Sequence, residues 1–320
     1  MPRDILIPLD GSATADAAIR HAEALARAYG GGLHLVRVYT PITAFVPSES
    51  PVAIPDPNWD KAARENAQEW IVKAAASVRA RVAVPVTYEL RIGDPVDEIV
   101  AAARAHDVAM IACTTHGHGG WAPQWLGSVT DGIVRRAHCP VYAMSESAVK
   151  RTPGIKRILM PLDGSRTAAA VIPFVRDLAI RTKATVDIYR VVAPPWVGDA
   201  LNAVQGGHVD PFNIDPVADQ AKHEIERIAQ DFVYACVHAT STVEVATVPI
   251  RAILERVTAT DPDIVALSTH GRGLSRLFMG SVADKVLRAG GRPTFCWRPP
   301  AALTREDDAL ESSYDMVAVP

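Results

Sequence analysis

Excess charge, paired cysteines and long apolar runs are all missing from this sequence, and each absence removes a class of function. Its 33 Lys+Arg stand against 36 Asp+Glu, and the pI is near 6.4. No basic field exists to draw nucleic acid, so none is expected as a partner. No run of about 18 apolar residues could span a bilayer, and the opening MPRDILIPLD lacks a signal-peptide core. We therefore expect no membrane partner and a cytoplasmic protein. The four cysteines, Cys113, Cys139, Cys236 and Cys296, form no CxxC pair. Three sit in strand-like apolar runs and Cys236 in a helical one, which predicts buried, reduced thiols. There is no GxxxxGK[ST], hence no P-loop, no G-x-S-x-G elbow and no paired catalytic carboxylates.

What the chain does contain is itself, twice. Residues 5–26 read ILIPLDGSATADAAIRHAEALA and residues 158–179 read ILMPLDGSRTAAAVIPFVRDLA, at a constant offset of 153. Later, TTHGHGGWAPQWLGSVTDGIVRRAHCPVYAM is answered by STHGRGLSRLFMGSVADKVLRAGGRPTFCWR. A repeat this long is a domain, and 320 residues suit two of them. We place the domains at 1–147 and 156–299, a linker at 148–155 ending near Pro153-Gly154, and a weakly anchored tail at 300–320.

Elements alternate within each copy. In the first, Ile5–Leu9 reads as a strand, Ala13–Tyr29 as a helix stopped by Gly30, and Leu33–Tyr39 as a strand. Asp60–Val82 is predicted helical, with Arg64, Glu65, Lys73 and Arg79 on a solvated face. Val86–Arg91 is a strand, Pro95–Ala105 a helix, Val108–Thr114 a strand, Ser128–Arg136 a helix and Val141–Met144 a last strand. Near-continuous apolar strands alternating with helices imply two doubly wound, five-stranded parallel-sheet α/β domains, flavodoxin/Rossmann-like in kind.

Ligands of such sheets bind beyond the carboxyl ends of the strands. The first loop there is Pro8-Leu9-Asp10-Gly11-Ser12, repeated as Pro161-Leu162-Asp163-Gly164-Ser165. Ser12 and Ser165 suit helix caps, which leaves Asp10 and Asp163 for a ligand, the plainer alternative being the structure of the loop itself. After the fourth strand, Thr115-His116-Gly117-His118-Gly119 leads to a helix opening at Gly127-Ser128. Its counterpart, Thr269-His270-Gly271-Arg272-Gly273, leads to Gly280-Ser281. Glycines beside a helix N-terminus suit a phosphate, to which Ser128 and Ser281 could donate; the plainer alternative is an N-cap serine after a glycine turn. His116 and His270 lack a metal-ligand partner at useful spacing, so they read as structural and no metal ligand is expected from protein side chains.

The pair P-x-D-G-S after strand one and G-x9-G-S after strand four resembles the universal stress proteins over nearly all of residues 1–299. The resemblance implies adenine-nucleotide binding, ATP with Mg2+, in a stress-response or regulatory role. It implies that Pro8 and Asp10, with Val38, face the adenine in the first copy, and Pro161, Asp163 and Val191 in the second. Thr114, Gly117, Gly127, Ser128 and Val129 would cradle ribose and phosphates in the first copy. Ser268, Gly271, Arg272, Arg276, Gly280, Ser281 and Val282 would do so in the second. Two departures stand out: the first glycine of the family's G-x2-G-x9-G-[ST] pattern is Thr114 or Ser268, and the second copy has eight residues, not nine, between Gly271 and Gly280. The other readings are a nucleotide-free interaction scaffold and a weak ATP hydrolase; no residue is an obvious general base. The absence of HxGH and SGGxDS motifs argues against related nucleotidyl transferases and pyrophosphatases.

Three further expectations follow. The short apolar edge strands Val141–Met144 and Thr294–Trp297 invite pairing, as family members dimerise, which predicts an intramolecular pseudo-dimer and leaves a homodimer of chains open. The long connections 40–58 and 194–216 are expected to cover the pockets. Arg272 and Arg276 should make the second pocket the tighter ATP site.

Overall fold

A computed structural model describes residues 2–41, 57–115, 126–194, 215–269, 280–299 and 303. The chain divides into two compact units, with the main boundary between Val141 and Tyr142.

The first copy of the repeat runs β1 (Ile5–Pro8), α1 (Ala13–Tyr29), β2 (Leu33–Tyr39), α2 (Pro57–Arg79), β3 (Val86–Ile92), α3 (Pro95–Ala105), β4 (Met110–Thr114), α4 (Ser128–Arg136) and β5 (Val141–Met144), whose last three residues fall beyond that boundary. Its strand order is β3-β2-β1-β4-β5, and β1 pairs in parallel with both β2 and β4. This is the Rossmann order, in which the chain reverses direction of travel between β1 and β4. The central strands are apolar on both faces because helices cover both. Ile5, Leu6 and Ile7 are 0% exposed, as are Met110, Ile111 and Ala112, and each large side chain so buried contributes about 1.5–3 kcal/mol. α1 packs on β1 and β4, α2 on β2 and β3, and α3 lies against α4.

Local chemistry sets the helix ends. Ser12 accepts from the Ala15 amide at 3.2 Å to open α1, and Gly30, at φ +67, closes it. The apolar stripe Ala15, Ala18, Ile19, Ala22 and Leu25 faces inward at helical spacing. Asp94 caps α3 through the Val96 and Asp97 amides, with Pro95 in the first turn. Arg79, read as part of a solvated face, instead donates to the Val86 carbonyl and anchors the start of β3.

The second unit repeats the pattern. Its elements are α5 (Glu146–Val149), β6 (Arg157–Leu162), α6 (Arg166–Ala169), α7 (Ile172–Thr182), β7 (Thr185–Val192), α8 (Asp215–Tyr234), β8 (Ala239–Val245), α9 (Pro249–Thr260), β9 (Ile264–Ser268), α10 (Ser281–Ala289) and β10 (Thr294–Trp297). The order is β8-β7-β6-β9-β10. Where the first unit has one helix after its first strand, the second has two, α6 and α7. Pro173, in the first turn of α7, has no amide hydrogen to continue a helix from α6.

Two sequence expectations need correction. The segment 148–155 does not begin as a linker, because Ala148 and Val149 belong to α5, are buried, and follow the N-cap Ser145. Cys236 is neither helical nor buried: it is exposed at φ +59 in the turn after α8. Cys113, Cys139 and Cys296 are buried as expected. No helix among the described residues is long and apolar enough to cross a membrane.

Candidate functional site

The reversal between β1 and β4 opens a cavity of about 360 Å³ at the carboxyl ends of the strands. Its walls come from five places: the end of β1 (Pro8, Leu9, Asp10), β2 (Val36, Arg37, Val38), the start of α3 (Pro95, Ile99), the end of β4 (Cys113, Thr114, Thr115) and the start of α4 (Gly127, Ser128, Val129, Thr130). In the second unit a cavity of about 250 Å³ is lined by Pro161, Asp163, Tyr189, Val191, Pro249, Ile253, Ser268, Thr269, Gly280, Ser281 and Val282. Every candidate site residue from the sequence that is among the described residues therefore lines one of these two cavities. Gly117, Gly271, Arg272 and Arg276 lie outside the described residues, as do His116, His118 and His270, most of both long connections, and the tail apart from Leu303.

The first loop is built identically in both units. Gly11 and Gly164 take φ +90 and +85, conformations that a side chain disfavours. Asp10 Oδ1 accepts from the Ser12 amide at 2.9 Å, and Asp163 Oδ1 accepts from the Ser165 amide at 2.9 Å. Both aspartates thus close an Asx turn, which is the loop-structural alternative the sequence left open. Ser12 and Ser165 cap the next helix, as expected.

The starts of α4 and α10 differ from the serine-capped alternative. The N-cap is Gly127 in α4 and Gly280 in α10, with no side-chain cap in either, and Ser128 and Ser281 occupy the first helical position. The Gly127 amide donates to Thr115 O at 2.8 Å and the Gly280 amide to Thr269 O at 2.8 Å. The first-turn amides beyond each glycine have no intrahelical acceptor, and the helix dipole adds partial positive charge there. Thr130 Oγ1 donates to Thr114 O at 2.7 Å, tying α4 to the end of β4. In the second cavity, Ser268 Oγ is buried without a hydrogen-bond partner among the described residues.

Arg37, in the wall of the first cavity, is a site residue that the sequence reading missed; its counterpart one repeat later is Arg190. Arg37 Nη1 donates to Leu9 O at 3.1 Å, and its guanidinium carbon lies 4.9 Å from the Trp70 ring centroid. Burial lowers its pKa, opposed by the Asp10 carboxylate. Arg190 instead pairs with Glu224, and its guanidinium packs against Gly164, where a Cβ would meet it. Burial raises the Glu224 pKa, but hydrogen bonds from Arg190 and Gln220 outweigh it and hold the carboxyl low. Pro95 and Pro249 were also legible in the repeat but were not assigned to the site. Cys113, in the first cavity's wall, has its pKa pushed up to about 12 by burial, which makes it an unreactive thiol.

These features define a class: a tandem of doubly wound α/β domains, each with an apolar slot facing a bare helix N-terminus at the switch point of its sheet. The family follows from comparison. The universal stress protein family model matches residues 1–144 and again 154–295, and the chain belongs to that family. It is 26% identical over 301 residues to the universal stress protein Rv2005c of Mycobacterium tuberculosis, covering 92% of this chain and 96% of the relative. It is 28% identical over 223 residues to Rv2623 of the same species, covering 65% of this chain and 71% of the relative. A crystal structure of a universal stress protein from Archaeoglobus fulgidus superposes with a TM-score of 0.70 at 18% identity, covering 93% of this chain and 99% of that one. At that identity the likeness speaks for the fold.

Proposed function

We propose that each unit binds an adenine nucleotide, ATP with Mg2+, and that occupancy tunes a regulatory role in a cytoplasmic stress response. The observation that carries this is the pairing, twice in one chain, of an apolar slot with a helix start whose cap is glycine. A flat base suits the slot between Val38 and Ile99, or between Val191 and Ile253. An anion suits the unpaired amides after Gly127 and Gly280, with the Ser128 and Ser281 hydroxyls beside them. The orphaned Ser268 hydroxyl is a polar group that a ligand would satisfy. Mg2+ would travel with the triphosphate, held by its oxygens and by water.

A second reading, a nucleotide-free scaffold, is favoured by Thr114 and Ser268, whose side chains stand where the family pattern has glycine. A weak hydrolase is a third. Against it, the carboxylates in the cavity walls, Asp10 and Asp163, are already engaged by loop amides.

Denaturing the purified protein and chromatographing what is released tests the proposal. Adenine nucleotide in the supernatant, and saturable heat on adding ATP with Mg2+ to stripped protein, are expected. Absence of both makes the scaffold the function.

A further inference from the structure

Below the C-terminal end of α3, away from the cavity, three ligand-type side chains meet from three elements. His34 comes from β2, Glu89 from β3, and His106 is the C-cap of α3. His34 Nε2 lies 3.1 Å from Glu89 Oε1, and His106 Nε2 lies 3.6 Å from the same oxygen. One donor atom from each residue falls within 4.8 Å of the others. The two imidazoles are stacked with centroids 3.8 Å apart and planes 33° apart. Both Nε2 atoms face the same Glu89 oxygen. Donors bound tetrahedrally at about 2.0–2.2 Å from a metal sit about 3.3–3.6 Å from one another, close to the separations found.

The outer partners match as well. His34 is 2% exposed, and its Nδ1 lies 2.8 Å from Thr87 Oγ1. With Nδ1–H donating to Thr87, the Nε2 lone pair points into the cluster, the tautomer a metal requires. Arg91 Nε donates to Glu89 Oε1 at 2.9 Å and its Nη1 to Glu98 Oε2 at 3.1 Å. Glu89 Oε1 is the same oxygen that faces both imidazoles, so a metal would either displace Arg91 from Oε1 or be taken by Oε2 after a turn of the carboxylate. Glu89 and Glu98 together outweigh the Arg91 charge and leave the spot net negative. The His106 side chain is 43% exposed and that of Glu89 26%, which gives an ion a way in and a place for a water ligand.

The geometry points to a divalent transition-metal site of the zinc class, with His34, Glu89 and His106 as its ligands. Two imidazoles and one carboxylate suit Zn2+ and its Co2+ surrogate, whereas Mg2+ and Ca2+ prefer all-oxygen sets. The site departs from the expectation that no protein side chain would bind metal, because its ligands are scattered along the sequence and only the fold assembles them. Among the described residues the second unit has no such cluster. There Asp187 stands at the position of His34 and Thr242 at that of Glu89, and Arg256 binds both, at 2.9 Å to Asp187 Oδ2 and 3.2 Å to Thr242 Oγ1. A metal in the first unit would clip β2 and β3 to α3, whose other end supplies Pro95 and Ile99 to the cavity wall.

The test uses untagged full-length protein, stripped with a chelator and titrated with Co2+ and then Zn2+. One equivalent of Co2+ per chain should bind with the visible absorption of a tetrahedral centre, and Zn2+ should displace it. Thr87→Val should weaken binding about 10–100-fold, as loss of an outer partner does, and His106→Ala should weaken it more. Circular dichroism checks that the variants fold, and the nearly isosteric Glu89→Gln carries the test if His106→Ala does not. Failure of the wild type to saturate at one equivalent overturns the proposal. So does unchanged affinity in His106→Ala or Glu89→Gln, because the metal then sits elsewhere.

Discussion

The two units share a backbone and differ in charge. Both have the same strand order, the same Asx turn after the first strand, and the same amide-to-carbonyl bond from an N-cap glycine. Beneath these constants the side chains diverge. The arginine at the end of the second strand stacks on Trp70 in one unit and pairs with Glu224 in the other. The space under the third crossover helix holds two histidines and a glutamate in one, and an Arg256–Asp187 pair in the other. A duplicated domain thus keeps what the cavity's main chain requires, while the charges around it are free to change.

The steepest contrast expected is in thiol chemistry. Cys113 in the first cavity's wall has Leu267 as its counterpart, and its pKa of about 12 leaves about 1,000-fold less thiolate at pH 8 than an ordinary thiol. A thiol reagent on native protein should label exposed Cys236 first and Cys113 after unfolding, as mass spectrometry would show. Equal rates at the two positions would mean that the first cavity opens readily. Next comes nucleotide affinity. Gly127 and Gly280 have ordinary extended backbone angles, so Gly127→Asp and Gly280→Asp should fold and cap their helices. Each places a carboxylate at the anion site, and like charges about 4 Å apart repel by roughly 4 kcal/mol gross at an effective dielectric near 20. Calorimetry should show at least about 100-fold weaker ATP binding at the affected unit. Gly280→Asp should remove the tighter phase, since Arg272 and Arg276 precede α10 in the sequence. The reverse order would show that the larger first cavity outweighs charge.

Smaller effects concern stability. Arg256→Ala strands Asp187, whose side chain is 18% exposed, and should cost about 2 kcal/mol in urea unfolding. A negligible cost would mean that water already serves Asp187. In the first unit, Gly132 lets α4 approach α3 so closely that an added Cβ would lie 2.7 Å from a Val96 methyl; the second unit has Lys285 there. Gly132→Ala should destabilise by about 1–2 kcal/mol, and adding Val96→Ala should recover part of it. The least effect is expected from Pro173→Ala, which lets α6 and α7 join. Its stability change should stay below about 1 kcal/mol, with a small gain in helix signal by circular dichroism.

The fold was largely legible because its periods are strong. α1, β2, α3, α4 and β5 have the bounds that the apolar spacing predicts, and the repeat supplied the two-unit plan. Asp10, Gly127 and Ser128 line the cavity because loops after parallel strands have nowhere else to converge, whereas Pro8 and Val38 were named only through the family resemblance. Arg37 escaped because an arginine inside a strand reads as a solvent-facing residue until Trp70, 33 positions later in the numbering, is folded against it. The turn-closing role of Asp10 stayed one of two alternatives because it depends on the positive φ of Gly11. α5 escaped because four residues are too few to show a period. His34, Glu89 and His106 stood apart in sequence, and their meeting depends on strand register.

The bond from each N-cap glycine to the carbonyl after β4 or β9 also bears on evolution. It fixes where the chain leaves and rejoins the scaffold on either side of the intervening residues. Eleven residues lie between Thr115 and Gly127, and ten between Thr269 and Gly280. By the logarithmic dependence on length, closing the longer span costs about 0.1 kcal/mol more. By that measure a change of one residue in the length between these anchors is nearly free. Grafting residues 270–279 between Thr115 and Gly127 should leave the first unit's helices in place, giving selection a way to retune one cavity while the other stays as it was.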